Sequence, residues 1–191
     1  MCFYITATLP KEANIEELKS LFDKYDMAFV PINNKYVESQ LRPKELYFRA
    51  TKHYCDCNTI LGMNNISIEY DKLLKSKKVK NLKKKNWSNE QIDKWIKKKI
   101  KKKNPHAIKT KVSAEIDQET NNWINFIREI LKTESIKRLG ILKHWYTKSL
   151  STEKILIRKS NRIKITELSS ELLHKFEEDV LYEFYPIFKD Y

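Results

Sequence analysis

The spacing of apolar residues changes twice in the first quarter of the chain, and each spacing predicts an element. From Cys2 to Thr8 apolar and polar residues alternate, as in a strand with one buried face, and Pro10 ends the run. Helical spacing follows behind early glutamates, which suit a helix N-terminus, in the residues Ile15, Leu18, Leu21 and Phe22. Two more strands are predicted over 27–32 and 45–50.

The second half of the chain predicts four further elements. A helix begins at Ser113, with apolar residues repeating about every 3.5 positions. Residues 136–146 are rich in strand formers, and the alternating segments KILIR and RIKIT, separated by Lys159-Ser160-Asn161, predict a β-hairpin over 154–166. Helical spacing over 169–186 predicts a C-terminal helix that ends at Pro186. Its outer face is acidic, with Glu171, Glu177, Glu178, Asp179 and Glu183.

This mixture of periods predicts an α+β fold, in which a small mixed or antiparallel sheet is packed by helices. Residues 1–70 and 113–191 are predicted to form one body with a shared core. Residues 71–112 are predicted to form a Lys-rich helical insert. The insert opens with a predicted helix near 68–74, followed by a stretch without periodicity over 75–86. Proteases should cut first around 75–85.

Charge sets the predicted insert apart from the rest of the chain. The protein has 191 residues and a net charge of +13, and residues 71–112 carry 17 lysines against three acidic residues. The segment before them sums to −1, and the segment after them sums to zero. A field concentrated in this way attracts polyanions and speeds encounter with them.

The segment WSNEQI predicts the start of a helix inside this basic block. Ser88 and Gln91 have the spacing of a capping box, and Trp87 and Ile92 have that of a hydrophobic staple. The helix has an apolar face formed by Ile92, Trp95, Ile96 and Ile100 and an opposite face of lysines. The candidate binding residues are Lys83, Lys84, Lys85, Lys94, Lys97, Lys98, Lys101 and Lys102.

Lysine rather than arginine dominates the block, which bears on the mode of binding. Lysine is a point charge that contacts phosphate without the bidentate geometry that reads bases. We therefore expect a non-enzymatic accessory protein that binds nucleic acid or a ribonucleoprotein through the phosphate backbone. The nucleic acid could be DNA or RNA. The alternative is that the same lysines bind an acidic protein surface.

Enzyme functions have little support in the sequence. Two glycines in 191 residues argue against a phosphate loop or a dinucleotide-binding fold, and no cofactor is expected. The rival hypothesis is a metal- or thiol-dependent enzyme centred on His53, Cys55 and Cys57, although a metal-binding cysteine pair is usually separated by two to four residues. Asp56 lies between the two thiols, and its charge would disfavour a thiolate.

Three cysteines and the absence of a leader pattern predict a reduced, cytoplasmic protein without membrane contact. In composition the chain resembles small phage and mobile-element accessory proteins, which are also Lys- and Asn-rich, lack catalytic motifs and carry a local charge patch. Inhibitors of host nucleic-acid-guided nucleases, the anti-CRISPR-like proteins, belong to that group. The resemblance implies an inhibitor that binds the nuclease or its nucleic-acid channel.

Overall fold

A six-stranded mixed sheet, mostly antiparallel, is the centre of the protein and confirms the predicted α+β class. The computed structural model describes residues 2–62, 70, 73–103 and 113–187. The strands are β1 (Cys2–Pro10), β2 (Met27–Pro31), β3 (Glu45–Thr51), β4 (Leu139–Tyr146), β5 (Lys159–Lys164) and β6 (Val180–Tyr185). Their order across the sheet is β2-β3-β1-β4-β6-β5.

Helices of very different length connect and cover these strands. They are α1 (Ile15–Lys24), α2 (Lys35–Glu38), α3 (Lys77–Lys84), α4 (Asn89–Lys103), α5 (Ser113–Ile130) and α6 (Ser170–His174). Among the described residues, none of the helices is both long enough and apolar enough to cross a bilayer.

The main core lies on one face of the sheet, under α1 and α5. Alternate residues of β1 point into it, and α1 contributes Leu18 and Phe22 as its pattern predicted. Helix α5 contributes Trp123, Phe126, Ile127 and Ile130, which confirms its predicted inward face where its side chains are described. A smaller cluster on the other face of the sheet contains Ile32, Val37, Tyr47, Leu142, Tyr146, Ile155 and Leu181.

The predicted hairpin over 154–166 is wrong. Lys159, Ser160 and Asn161 do not turn but form the first half of β5, which pairs in parallel with β6. Ile155 belongs to the smaller cluster, with Ile157 packed against it, whereas Ile163 lies in the main core with Ile165 against it. The two isoleucine pairs thus serve opposite faces of the sheet.

The predicted helix over 169–186 is also wrong, because only Ser170–His174 is helical and Val180–Tyr185 is a strand. Asp179 has a φ of 61°, a left-handed conformation that cannot continue an α-helix. Strand β6 lies between β4 and β5 and is buried on both faces. Its apolar residues therefore form a run without alternation, which periodicity does not separate from a helix.

The stretch predicted to lack periodicity contains helix α3, so the predicted loss of helical structure is wrong, whereas early cleavage by proteases stays a prediction. Ser76 caps the helix by accepting a hydrogen bond from the Val79 N–H over 3.3 Å. Val79 itself is fully buried. Most of the helix predicted near 68–74 lies outside the described residues, and the division of the chain into a body and an insert stays a prediction.

Candidate nucleic-acid interface

Helices α3 and α4 share a small apolar cluster that is separate from the two clusters of the sheet. Its buried residues are Val79, Ile92, Ile96 and Ile100, with Leu82 and Trp95 partly buried against them. The apolar face predicted for α4 is confirmed by this burial. Because the cluster anchors one face of each helix, the opposite faces are left to solvent.

The predicted capping box at the start of α4 is confirmed. The Ser88 N–H donates to Gln91 Oε1 over 2.9 Å, and the Gln91 N–H donates to Ser88 Oγ over 3.2 Å. Two donors that a helix start leaves without partners are thereby satisfied. Trp87 precedes the cap with 39% of its surface exposed, and its predicted staple contact with Ile92 stays a prediction.

Every described lysine side chain between residues 73 and 100 is exposed. These eleven residues are Lys75, Lys77, Lys78, Lys80, Lys83, Lys84, Lys85, Lys94, Lys97, Lys98 and Lys99. In the same span the acidic residues are Glu90 and Asp93. Lys97 pairs with Asp93 over 2.7 Å, and this contact lowers the pKa of Asp93 and raises that of Lys97.

The predicted binding residues fall into two groups. Lys83 and Lys84 form the last turn of α3, and Lys85 is its C-cap. A groove along this helix is lined by Lys77, Lys78, Asn81, Leu82, Lys84 and Lys85. Lys94, Lys97 and Lys98 lie on α4 and are exposed. Lys101 and Lys102 belong to the last turn of α4, and their side chains lie outside the described part of the protein.

Repulsion between neighbouring lysines works against both helices. Lys80 and Lys84 on α3, and Lys94 and Lys98 on α4, stand four residues apart, where like charges cost about 0.2–0.5 kcal/mol per pair. Salt, or an anion bound between the side chains, would relieve this cost.

The weak metal candidates occupy a different part of the fold. The sulfurs of Cys2, Cys55 and Cys57 lie within 4.8 Å of one another. His53 lines a hollow beside α5, with Tyr25, Thr51, Glu119 and Trp123 among its neighbours. The structure thus brings the Cys2 thiol next to those of Cys55 and Cys57, although Cys2 is more than 50 residues away in the chain.

Burial makes two of these thiols, those of Cys2 and Cys57, poor nucleophiles. It raises the pKa of Cys57 to about 12 and also raises that of Cys2. Burial, rather than the charge of Asp56, is the main cause. Asp56 is itself fully buried, and desolvation raises its pKa to about 6, although Ile5 N–H and Thr51 Oγ1 donate to its carboxylate over 2.7 and 2.9 Å.

Two further polar side chains make contacts that the sequence pattern does not predict. Lys143 on β4 is fully buried, and its ammonium donates to the carbonyl oxygens of Leu61 and Phe176. His144, the next residue, contacts Asp179 through Nδ1 over 2.5 Å. No local motif marks either group, because their partners are 33 to 82 residues away in the chain.

No protein-family model matches the chain, and no significant match to it was found among curated proteins or solved structures.

Proposed function

We propose that the protein binds nucleic acid through the lysines of α3 and α4, by contacts to the phosphate backbone. The observation that carries the proposal is the imbalance of charge on this surface. Between residues 73 and 100 there are eleven exposed lysines and two acidic residues. Among the described side chains, Lys97 alone of these lysines forms an ion pair. Unneutralised lysines of this density bind phosphates and release counterions.

The local structure supports an ordered binding surface on two fixed helices rather than a loose charged tail. Two caps, at Ser76 and Ser88, and a shared apolar cluster hold α3 and α4 despite the repulsion between their lysines. Fixed helices present their charges at regular spacing, so less side-chain and backbone entropy is lost when a polyanion binds.

Trp87 adds a feature that favours unpaired bases. It lies between α3 and α4, two residues after Lys85, and is 39% exposed. An exposed indole among lysines can stack on a base, and such stacking contributes about 1–3 kcal/mol per base. We therefore expect single strands to bind more tightly than duplexes of equal length.

The test is a titration with single-stranded and duplex DNA and RNA at several salt concentrations. The triple variant Lys84→Gln, Lys94→Gln, Lys98→Gln should bind more weakly and flatten the log–log salt dependence by about two to three units. The matched control is Lys19→Gln, Lys159→Gln, Lys164→Gln, which removes the same charge from exposed positions elsewhere. The control should keep most of the slope.

Two results would contradict the proposal. One is the absence of binding at about 50 mM salt, where phosphate attraction is strong. The other is an equal loss in the two triple variants, which would indicate attraction to net charge alone. Without nucleic-acid binding, the hypothesis for the same lysines would become an acidic protein surface, where they would pair with carboxylates.

A further inference from the structure

We propose that Cys2, Cys55 and Cys57 form a zinc site. Three cysteine sulfurs from two distant parts of the chain lie within 4.8 Å of one another, and all three cysteines are free thiols. Zinc bound tetrahedrally by thiolates, with Zn–S bonds of about 2.3 Å, holds its sulfurs roughly 3.8 Å apart. The sulfurs would need to move by no more than about 1 Å to reach this geometry.

The fold brings these thiols together through an interruption in strand pairing. β1 pairs with β3 only from Thr6 to Pro10, so the first half of β1 has free backbone groups on that side. The segment after β3 occupies the vacant edge. Asp56 N–H donates to the Phe3 carbonyl oxygen over 2.9 Å, and Phe3 N–H donates to Cys57 Sγ over 3.3 Å.

Asp56 locks this segment in place. Its carboxylate accepts from the Ile5 N–H and the Thr51 hydroxyl, so one side chain joins β1 to the end of β3. Close contact with Gly62 confines the segment from the other side, because a Cβ at Gly62 would lie 1.8 Å from the Asp56 carbonyl oxygen. The thiols are therefore held by a preformed scaffold, which lowers the entropic cost of binding a metal.

We expect the Arg49 guanidinium to stabilise the negative charge of such a site. Zinc with three thiolates carries one negative charge, and the Arg49 guanidinium lies 4.8 Å from the ring centre of Tyr4, two residues after Cys2 on the same face of β1. Its Nε and Nη2 atoms are buried without a hydrogen-bond partner among the described groups. An anionic zinc–thiolate centre would compensate this buried charge.

Three thiolates leave the fourth position of zinc to water or to a ligand from solution. Cysteine selects zinc over hard cations, and a closed structural site would use four protein ligands. The described residues place no fourth candidate ligand within the same 4.8 Å group. The proposed site is therefore an open one, independent of the lysines of α3 and α4.

The test uses the full chain, purified under reducing conditions and equilibrated with zinc. Elemental analysis should find one zinc per chain, and titration with Cd²⁺ should produce thiolate-to-metal charge-transfer absorption. Cys55→Ser, at a partly exposed position, should lose stoichiometric zinc while keeping its circular dichroism. His53→Ala is the control and should keep the metal, and Arg49→Gln should weaken Cd²⁺ binding by roughly 10-fold.

Several outcomes would overturn the site. They are a folded protein that takes up no zinc, retention of zinc by both Cys55→Ser and Cys57→Ser, or loss of zinc in His53→Ala. A disulfide between two of the cysteines would also reject the site. In protein isolated with its free thiols blocked, it would appear as a mass lower by two hydrogen atoms, with blocking groups missing from the same two cysteines.

Discussion

The Lys143 ammonium donates to the Leu61 carbonyl oxygen over 3.0 Å at a position with no solvent exposure. A second bond to the Phe176 carbonyl oxygen joins the same lysine to the loop before β6. One side chain on a central strand thereby ties together two segments that are more than 100 residues apart. Neither partner carries a formal charge, so the ammonium is solvated by backbone dipoles.

The cost of burying this ammonium should be visible in the pH dependence of stability. Desolvation lowers the pKa of Lys143 from 10.5 to about 8 in the folded protein. The folded state therefore favours the neutral amine. Its stabilising contribution is complete above pH 10.5 and is lost as the pH falls through 8. Relative to Lys143→Met, the wild type should gain about 3 kcal/mol in free energy of unfolding between pH 7 and pH 10.5.

Urea unfolding of both proteins at several pH values measures this difference. Lys143→Leu should show the same pH dependence, because it also removes the titrating group. Other ionisable groups are common to all three proteins and cancel in the comparison. A difference that stays constant with pH would show that the ammonium is not desolvated as described.

Asp56 predicts a change of the opposite kind at acidic pH. Burial raises its pKa from 3.8 to about 6, so its stabilising contribution is present below pH 3.8 and is lost as the pH rises through 6. Asp56→Asn keeps an oxygen for the Ile5 and Thr51 donors but cannot ionise. Relative to this variant, the wild type should lose about 2 kcal/mol between pH 4 and pH 7.

Denaturant unfolding across this pH range checks the prediction, with Thr51→Val as a companion. Removing the Thr51 hydroxyl deletes a donor that lowers the pKa of Asp56. The transition in Thr51→Val should therefore move to higher pH. A wild-type profile parallel to that of Asp56→Asn would contradict the assignment.

β1 and α1 were predictable because each carries a distinct period. β1 and α1 each have one face toward the main core, so alternation and helical spacing were both visible. β6 was not predictable in this way, since both of its faces are buried. Its parallel pairing with β5 depends on a 15-residue crossover, 165–179, and no local turn pattern reports such a connection.

The candidate sites also differ in whether local sequence features predict them. The lysines and the capping box of α4 are local features, and their exposure and geometry followed from spacing. The thiol cluster requires Cys2 to lie beside Cys55 and Cys57, which are more than 50 positions later in the chain. Only the folded chain brings the three thiols together. A buried lysine such as Lys143 cannot be told from a surface lysine in the sequence, because no local pattern marks its burial.

Glu183 provides a test of the corrected C-terminal structure. A helix would have exposed it together with Glu177, whereas in β6 it is 4% exposed and forms ion pairs with Arg42 and Arg138 over 3.2 and 3.4 Å. Removing one partner from a buried ion pair costs about 3–5 kcal/mol. Glu183→Gln should therefore destabilise the protein by about 3 kcal/mol, as measured by urea unfolding. Glu177→Gln, at an exposed position, should change the stability by less than about 0.5 kcal/mol.

The capping box of α4 links the stability of the proposed interface to its ligand. Ser88→Ala removes the hydroxyl that accepts from the Gln91 N–H, a loss of about 1 kcal/mol in helix stability. If the helix opens locally, amide exchange in α4 should accelerate by roughly fivefold, while the sheet keeps its protection.

A bound polyanion favours the ordered helix, because it neutralises lysines that otherwise repel one another. Adding single-stranded nucleic acid should therefore slow exchange in α3 and α4 of the wild type and of Ser88→Ala, and in these helices more than in β1 or β4. Ser160→Ala, on β5, serves as the control and should leave exchange in α4 unchanged. Protection that appeared only in the sheet on adding nucleic acid would place the binding surface elsewhere.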